Sequence, residues 1–262
     1  MSPSKTALVT GASTGIGRAF AVELAARGYN VVVVARDVVK LEALAQELKG
    51  SNGGDAEVLP ADLTDPDQLR VVEERVADTS RPIDLLVNNA GFATMGRFVA
   101  SEIDREIEEI SLNVIALVRL SRASLAPMVE RGSGGLINVA SLAAFQPNPL
   151  NATYGATKAY VNNFSQAVHE ELKGTGVKCM VLCPGFTRTE FQVNANIDSG
   201  DVPDFLWQSA EEVVAIALRA YDRGRAVCVP GALNTGVAAF TGLMPSGVTR
   251  RVAAMVIRRA EK

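Results

Sequence analysis

Seven short apolar runs, each followed by a longer amphipathic stretch, set the narrowest limit on what this chain can fold into. The runs are "TALVT" (6–10), "NVVVVA" (30–35), "AEVLPA" (56–61), "IDLLVNN" (83–89), "GGLINVAS" (134–141), "VKCMVLCP" (177–184) and "RAVCVPG" (225–231). They are rich in β-branched residues and do not alternate strictly between apolar and polar, as strands covered on both faces do not. The intervening stretches, such as "GIGRAFAVELAARG" and "PDQLRVVEERVADT", read as helices. This β-α-β-α order predicts an α/β fold: a doubly wound parallel β-sheet of about seven strands with helices on both faces.

The length of 262 residues suits a single domain, 1–262, without linker or internal repeat. Two segments depart from the alternation. Residues 186–210, with Phe186, Phe191, Phe205, Leu206 and Trp207, exceed a simple connection and predict a lid over a binding site. Residues 232–262 form a C-terminal helical extension. A net charge of −3 gives no reason to expect nucleic acid as a partner. The N-terminus lacks a signal-peptide pattern, and no run approaches the ~18 uninterrupted apolar residues of a spanning helix. Cys179, Cys183 and Cys228 fit no zinc spacing and sit in apolar runs, so buried free thiols are expected, with no metal. A reducing, cytoplasmic location is the default expectation.

The first strand runs directly into "TGASTGIG" (10–17) and then a helix. Gly11, Gly15 and Gly17 allow a tight turn, close backbone approach to a phosphate and close packing of helix on sheet. The free N–H groups at the helix start, flanked by Ser13, Thr14 and Ile16, then face a pyrophosphate. In an open parallel sheet such a ligand lies beyond the carboxyl ends of the strands, at the switch in strand order.

With this loop, Asp62 after the third strand, "NNAG" (88–91), Asn113, Ser141, "YGATK" (154–158) and "PGFTRT" (184–189), the sequence resembles the short-chain dehydrogenase/reductase family, in its compact single-domain branch. The resemblance spans roughly residues 5–231 and implies a Rossmann-type NAD(P)-binding domain. It implies that Asp62 and Leu63 border the adenine, and that Asn89, Ala90 and Gly91 line the cofactor ribose and backbone. Pro184, Gly185 and Thr187 would meet the nicotinamide and its carboxamide. The position where the family's NAD-users usually carry an acid is Ala35, followed by Arg36. Arg36 can pair with the 2′-phosphate of NADP; alternatively it is solvated and Asp37 serves as the acid. NADP(H) is preferred over NAD(H) on this chemistry.

Tyr154 and Lys158 stand four apart, on one face of a helix. Their unperturbed pKa values are ~10 and ~10.4, so neither suits proton transfer near neutrality unaided. The resemblance implies that Tyr154 gives or takes the proton, Ser141 polarises the carbonyl, and Lys158 lowers the tyrosine pKa and binds the ribose. Asn113 would hold a water linking Lys158 to solvent, or make a structural hydrogen bond. Tyr160 has no lysine partner and should be packing; His169, the single histidine, lies about 16 Å along the helix from Lys158, too far to share that proton.

The expected activity is an NADP(H)-dependent oxidoreductase transferring a hydride between nicotinamide and a carbonyl or alcohol. "LAAFQPNP" after Ser141 and the phenylalanines at 186 and 191 suggest an apolar ketone, aldehyde or 3-oxoacyl substrate. The alternative is a cofactor-binding regulatory or scaffold protein without turnover. "TRRVAAMVIRRAEK" near the C-terminus reads as a basic amphipathic helix, favoured for an interface in a homo-oligomer (dimer or tetramer) over a membrane surface.

Overall fold

The computed structural model describes residues 5–52, 55–191 and 203–243. All seven expected strands form, and they make one parallel sheet. In chain order they are β1 (Thr6–Thr10), β2 (Asn30–Ala35), β3 (Ala56–Pro60), β4 (Leu85–Asn88), β5 (Gly134–Val139) and β6 (Val177–Leu182). Two short strands, β7 (Thr187–Arg188) and β8 (Gln208–Ser209), pair with each other before β9 (Val227–Cys228) completes the main sheet. The spatial order is β3-β2-β1-β4-β5-β6-β9.

The order follows from what the strands must hide. Val31, Val32, Val33 and Val34 are all buried, so β2 needs cover on both faces. One face is covered by α1 (Gly15–Ala26), α2 (Val38–Asn52) and α7 (Ala210–Asp222), through Phe20, Leu24, Leu41, Leu44, Val213 and Val214. The other is covered by α3 (Pro66–Ala77), α5 (Leu117–Glu130) and α6 (Ala152–Glu171), through Leu69, Val72, Leu120, Met128 and Val168. From β1 the chain steps outward to β2 and β3, returns to β4 beside β1, and continues the other way. That reversal opens a crevice beyond the carboxyl ends of β1 and β4, where the glycine loop and "NNAG" lie.

Helix α4 (Ile103–Ile110) joins α5 through a π-helical segment, Ser111–Ala116. The continuous stretch Ile103–Glu130 is long and apolar enough to cross a membrane by length and composition. Here Leu117, Leu120, Ser121, Ser124 and Met128 of α5 face the protein interior instead. Helix α4 inverts the usual amphipathic arrangement. Its acids Glu106 and Glu109 are buried, whereas Ile103, Ile107 and Ile110 stay exposed.

The ends of the expected lid are tied together by β7 and β8, with Thr187 paired to Gln208. Phe186 and Trp207 pack at 5.5 Å between ring centroids, and Phe205 is exposed. The middle of that segment, 192–202, lies outside the described residues. So does the basic stretch holding Arg250, Arg251, Arg258 and Arg259; of the C-terminal extension, α8 (Ala232–Leu243) is described. The three cysteines are buried and free, as expected.

Candidate active site

A cavity of about 700 Å³ occupies the crevice at the switch point. Every candidate site residue of the sequence lines it except Gly17 and Asn113, which stand directly behind its wall.

At one end the chain emerges from β1 and turns into α1. Thr14 takes the N-cap position in extended conformation without a side-chain bond to the helix, and the first turn holds no acid. The first N–H groups of α1 are therefore left for an anion. The contrast within the molecule is clear: Asp65 caps α3 through the N–H groups of Asp67 and Gln68, and Ser209 with Glu212 makes a capping box on α7. Gly17 holds the loop against the sheet. A Cβ there would stand 2.2 Å from the Gly11 carbonyl oxygen and 2.4 Å from Asn89 Nδ2.

Asn89 lines the cavity, but its side chain serves the protein itself. Its amide donates to the carbonyls of Thr10 (2.9 Å) and Gly11 (3.2 Å), clamping the glycine loop. The Thr10 hydroxyl returns the tie by accepting the N–H groups of Asn89 and Ala90, both at 3.0 Å. Thr10 does not stand out in the sequence; its only signal is a polar residue closing an apolar strand.

Beyond the end of β2, Arg36 extends with its side chain 71% exposed, 3.7 Å from the Asp62 carboxylate. Partial burial tends to raise the Asp62 pKa. The hydrogen bonds from Thr64 and the charge of Arg36 outweigh it and hold the carboxyl below its ordinary range.

The far end gathers Ser141, Tyr154 and Lys158. Ser141 leaves β5 in extended conformation and caps a short 3₁₀ turn, Leu142–Phe145, by accepting the Ala143 N–H at 3.1 Å. Tyr154, in the first turn of α6, hydrogen-bonds with Ser141 and packs 5.7 Å from the Phe191 ring. Just before α6, Leu150 takes a left-handed φ of +63°, rare for a leucine. Its carbonyl accepts the Gly96 N–H at 2.8 Å. Lys158 lies one turn beyond Tyr154, its Nζ 5.6 Å from the phenol ring centre and donating to the Val139 carbonyl at 2.9 Å.

One sequence expectation is corrected here. Burial pushes the Tyr154 phenol up to about 12 rather than down, although the Ser141 hydrogen bond acts in the opposite sense. Burial also pulls Lys158 down to about 8, against the attraction of the Glu109 carboxylate. The protein's own side chains thus leave the tyrosine a weak acid. Tyr160 packs as expected, stacking on Phe164 at 5.9 Å, with 45% of its surface exposed.

Asn113 is buried in the π-helical segment. Its oxygen accepts the Phe92 N–H (3.1 Å), and its amide donates to Phe92 O (2.9 Å) and Thr157 Oγ1 (3.1 Å). Thr157 in turn donates to the Tyr154 carbonyl at 2.8 Å. His169 is remote from these groups and bonds the Cys179 carbonyl at 2.7 Å. Among the described residues no cluster of acids, cysteines and histidine could hold a metal ion.

These features recur in known proteins. The short chain dehydrogenase family profile matches residues 5–200. A short chain dehydrogenase of Pseudocercospora fijiensis is 38% identical over 71% of this chain, a match that spans 60% of the fungal protein. Among solved structures, a short-chain dehydrogenase from Sphingobium yanoikuyae in complex with NADPH superposes with a TM-score of 0.83 and 37% identity, covering 92% of this chain and 96% of that one. The bulky-bulky ketone specific alcohol dehydrogenase of Comamonas testosteroni gives 0.78 and 32%, covering 92% and 95%. Sheet order, glycine loop and the Ser141, Tyr154, Lys158 arrangement lead to one conclusion: this chain belongs to the short chain dehydrogenase family.

Proposed function

We propose that the protein is an NADP(H)-dependent carbonyl reductase or alcohol dehydrogenase for an apolar ketone, aldehyde or 3-oxoacyl compound, with Tyr154 as general acid and base. The observation that carries this reading is a single cavity with an uncapped helix start and Arg36 at one end, and Ser141, Tyr154 and Lys158 at the other. A dinucleotide fits that layout. Its pyrophosphate would meet the α1 N–H groups, its 2′-phosphate Arg36, and its nicotinamide the segment Pro184–Thr187. Bound there, the nicotinamide supplies or accepts the hydride.

The chain's own groups handle the oxygen and its proton. Ser141 accepts one backbone N–H, and its hydroxyl hydrogen, which meets the Tyr154 oxygen in the free protein, would turn to polarise a bound substrate carbonyl. Tyr154 delivers its proton to the same oxygen as negative charge develops there. A phenol held at about 12 is a reluctant acid, so the positive charge of Lys158 is needed to stabilise the phenolate left behind. Asn113 orients this group through Thr157, and the second lone pair of its oxygen is where a relay water would bind.

Phe92, Leu142, Phe186 and Phe191 make the cavity wall near Tyr154 apolar, which favours a lipophilic substrate. The likeness to a bulky-bulky ketone specific enzyme supports that substrate class. The exposed Ile103, Ile107 and Ile110 support a homo-oligomer, as the apolar face of a helix left bare in one copy.

The test is NADPH and NADH oxidation, followed optically, against apolar ketones, aldehydes and 3-oxoacyl compounds graded by chain length. Turnover with NADPH that rises with substrate lipophilicity is expected; cofactor binding without turnover of any compound would favour a regulatory protein instead. Arg36→Ala is expected to weaken NADPH binding by about 10-fold, the loss of a charge-assisted pair worth about 1.5–3 kcal/mol in favourable cases. NADH binding should change little, and equal losses for both cofactors would remove the assignment of Arg36 to the 2′-phosphate.

A further inference from the structure

Glu109 is a carboxylic acid with no exposure to solvent, in the wall behind the reactive groups. A buried acid of this kind costs stability unless it is satisfied, and this one is held by donors. Its Oε2 accepts the Thr94 N–H at 2.9 Å and the Thr94 hydroxyl at 2.7 Å. Its Oε1 faces the Asn113 amide at 3.5 Å, one helical turn ahead. Two Thr94 donors hold one oxygen and the positive edge of the Asn113 amide, whose two hydrogens serve Phe92 O and Thr157 Oγ1, lies along the other, surroundings that suit an ionised carboxylate.

The groups behind it form a continuous path to the proton chemistry. Asn113 bonds Thr157, and Thr157 bonds the Tyr154 carbonyl. On the other side of Asn113 stands Gly91, where a Cβ would lie 2.8 Å from Asn113 Oδ1 and 3.4 Å from Lys158 Nζ. The missing side chain is what lets the amide and the ammonium come together. Thr94 belongs to the loop after β4, so Glu109 also fixes the segment that carries Phe92, a wall of the cavity.

We propose that Glu109 is a positioning residue for the reaction: its buried carboxylate orients Asn113 and holds Lys158 in its charged form beside Tyr154. The inference rests on the proposed reduction for its purpose, though not for its measurement. The charged groups around it are few. Glu106, on the same helix, repels it, Lys158 on α6 attracts it, and burial raises its own pKa. Around Lys158 the ionisable neighbours are Glu109, Tyr154 and Cys183. Burial keeps Tyr154 and Cys183 up at about 12, neutral through the working range. Glu109 is therefore the anion that opposes the discharge of Lys158 by burial. The sign is fixed: removing that anion lowers the Lys158 pKa, so the ammonium discharges at lower pH.

The experiment is an NMR titration of selectively ¹³Cε-labelled lysine, with Lys158→Arg assigning the signal, in wild-type protein, E109Q and E109D. The Lys158 midpoint is expected to fall by about one unit in E109Q, the size of a close charge partner's effect, and to stay near the wild-type value in E109D. Where the wild type turns over substrate, the alkaline limb of kcat in E109Q should move down by the same amount with KM little changed. A role confined to packing would move neither midpoint nor limb. Should E109Q fail to fold, E109M carries the same comparison with an apolar chain of similar length. An unmoved Lys158 midpoint, or a moved midpoint with an unmoved kcat profile, overturns the proposal. The titration needs no turnover, so absence of activity in the wild type would count against the proposed function alone.

Discussion

Tyr154→Phe is expected to lower kcat by about 10³-fold, in the middle of the range for a general acid, while cofactor affinity changes less than about 3-fold. The variant keeps the ring against Phe191 and removes one hydroxyl, together with its hydrogen bond to Ser141. Its thermal stability should therefore drop by about 1 kcal/mol or less, the net worth of one such bond. Stopped-flow single-turnover rates separate the chemical step from cofactor binding, which can be followed by quenching of Trp207. Full activity in this variant would remove Tyr154 from the acid role. A large loss of cofactor affinity would instead make its hydroxyl part of the binding surface.

Gly17→Ala should have the second large effect, on both stability and binding. The added methyl would sit 2.2 Å from a backbone oxygen, that of Gly11, and 2.4 Å from Asn89 Nδ2. Neither partner is the free end of a flexible side chain, because Asn89 is pinned to Thr10 and Gly11 by two hydrogen bonds. Helix α1 or the glycine loop has to shift, with an expected cost of about 1–3 kcal/mol, the range for overpacked interiors. Since the same loop presents the α1 N–H groups, NADPH affinity should fall by at least about 10-fold. Chemical denaturation and cofactor titration measure the two effects on one preparation. A stable variant with unchanged affinity would show that the loop does not need its close approach to the helix.

Much of this site is legible in the amino-acid sequence, because its signals are local. A strand running into closely spaced glycines and then a helix needs no tertiary knowledge to suggest a phosphate loop. The four-residue spacing of Tyr154 and Lys158 places them on one helical face wherever the helix goes. What the spacing does not supply is the surroundings. The sign of the Tyr154 shift depends on how much protein covers the phenol, and that cover comes from segments far apart in sequence, including Phe191 and Ser141. Asn89 is legible as a site residue but not as a clamp, since its partners Thr10 and Gly11 lie almost eighty residues earlier.

Helix α4 marks the limit most sharply. Its pattern "IDREIEEI" places Ile103, Ile107 and Ile110 on one stripe, with Glu106 and Glu109 about a quarter turn round the helix from it. Amphipathicity alone turns the isoleucines inward. In the fold they face out and the glutamates are buried; for Glu109, Thr94 and Asn113 offer the polar contacts that make a buried carboxylate tolerable. Periodicity and short-range spacing are enough to set the elements, their parallel sheet and the phosphate loop, and the family resemblance singles out the serine, tyrosine and lysine. The buried face of α4, the direction in which burial moves Tyr154 and Lys158, and the place of Glu109 behind them emerge only from the packed molecule. Desolvation and hydrogen-bond satisfaction are set by groups distant along the chain, and no local pattern records them.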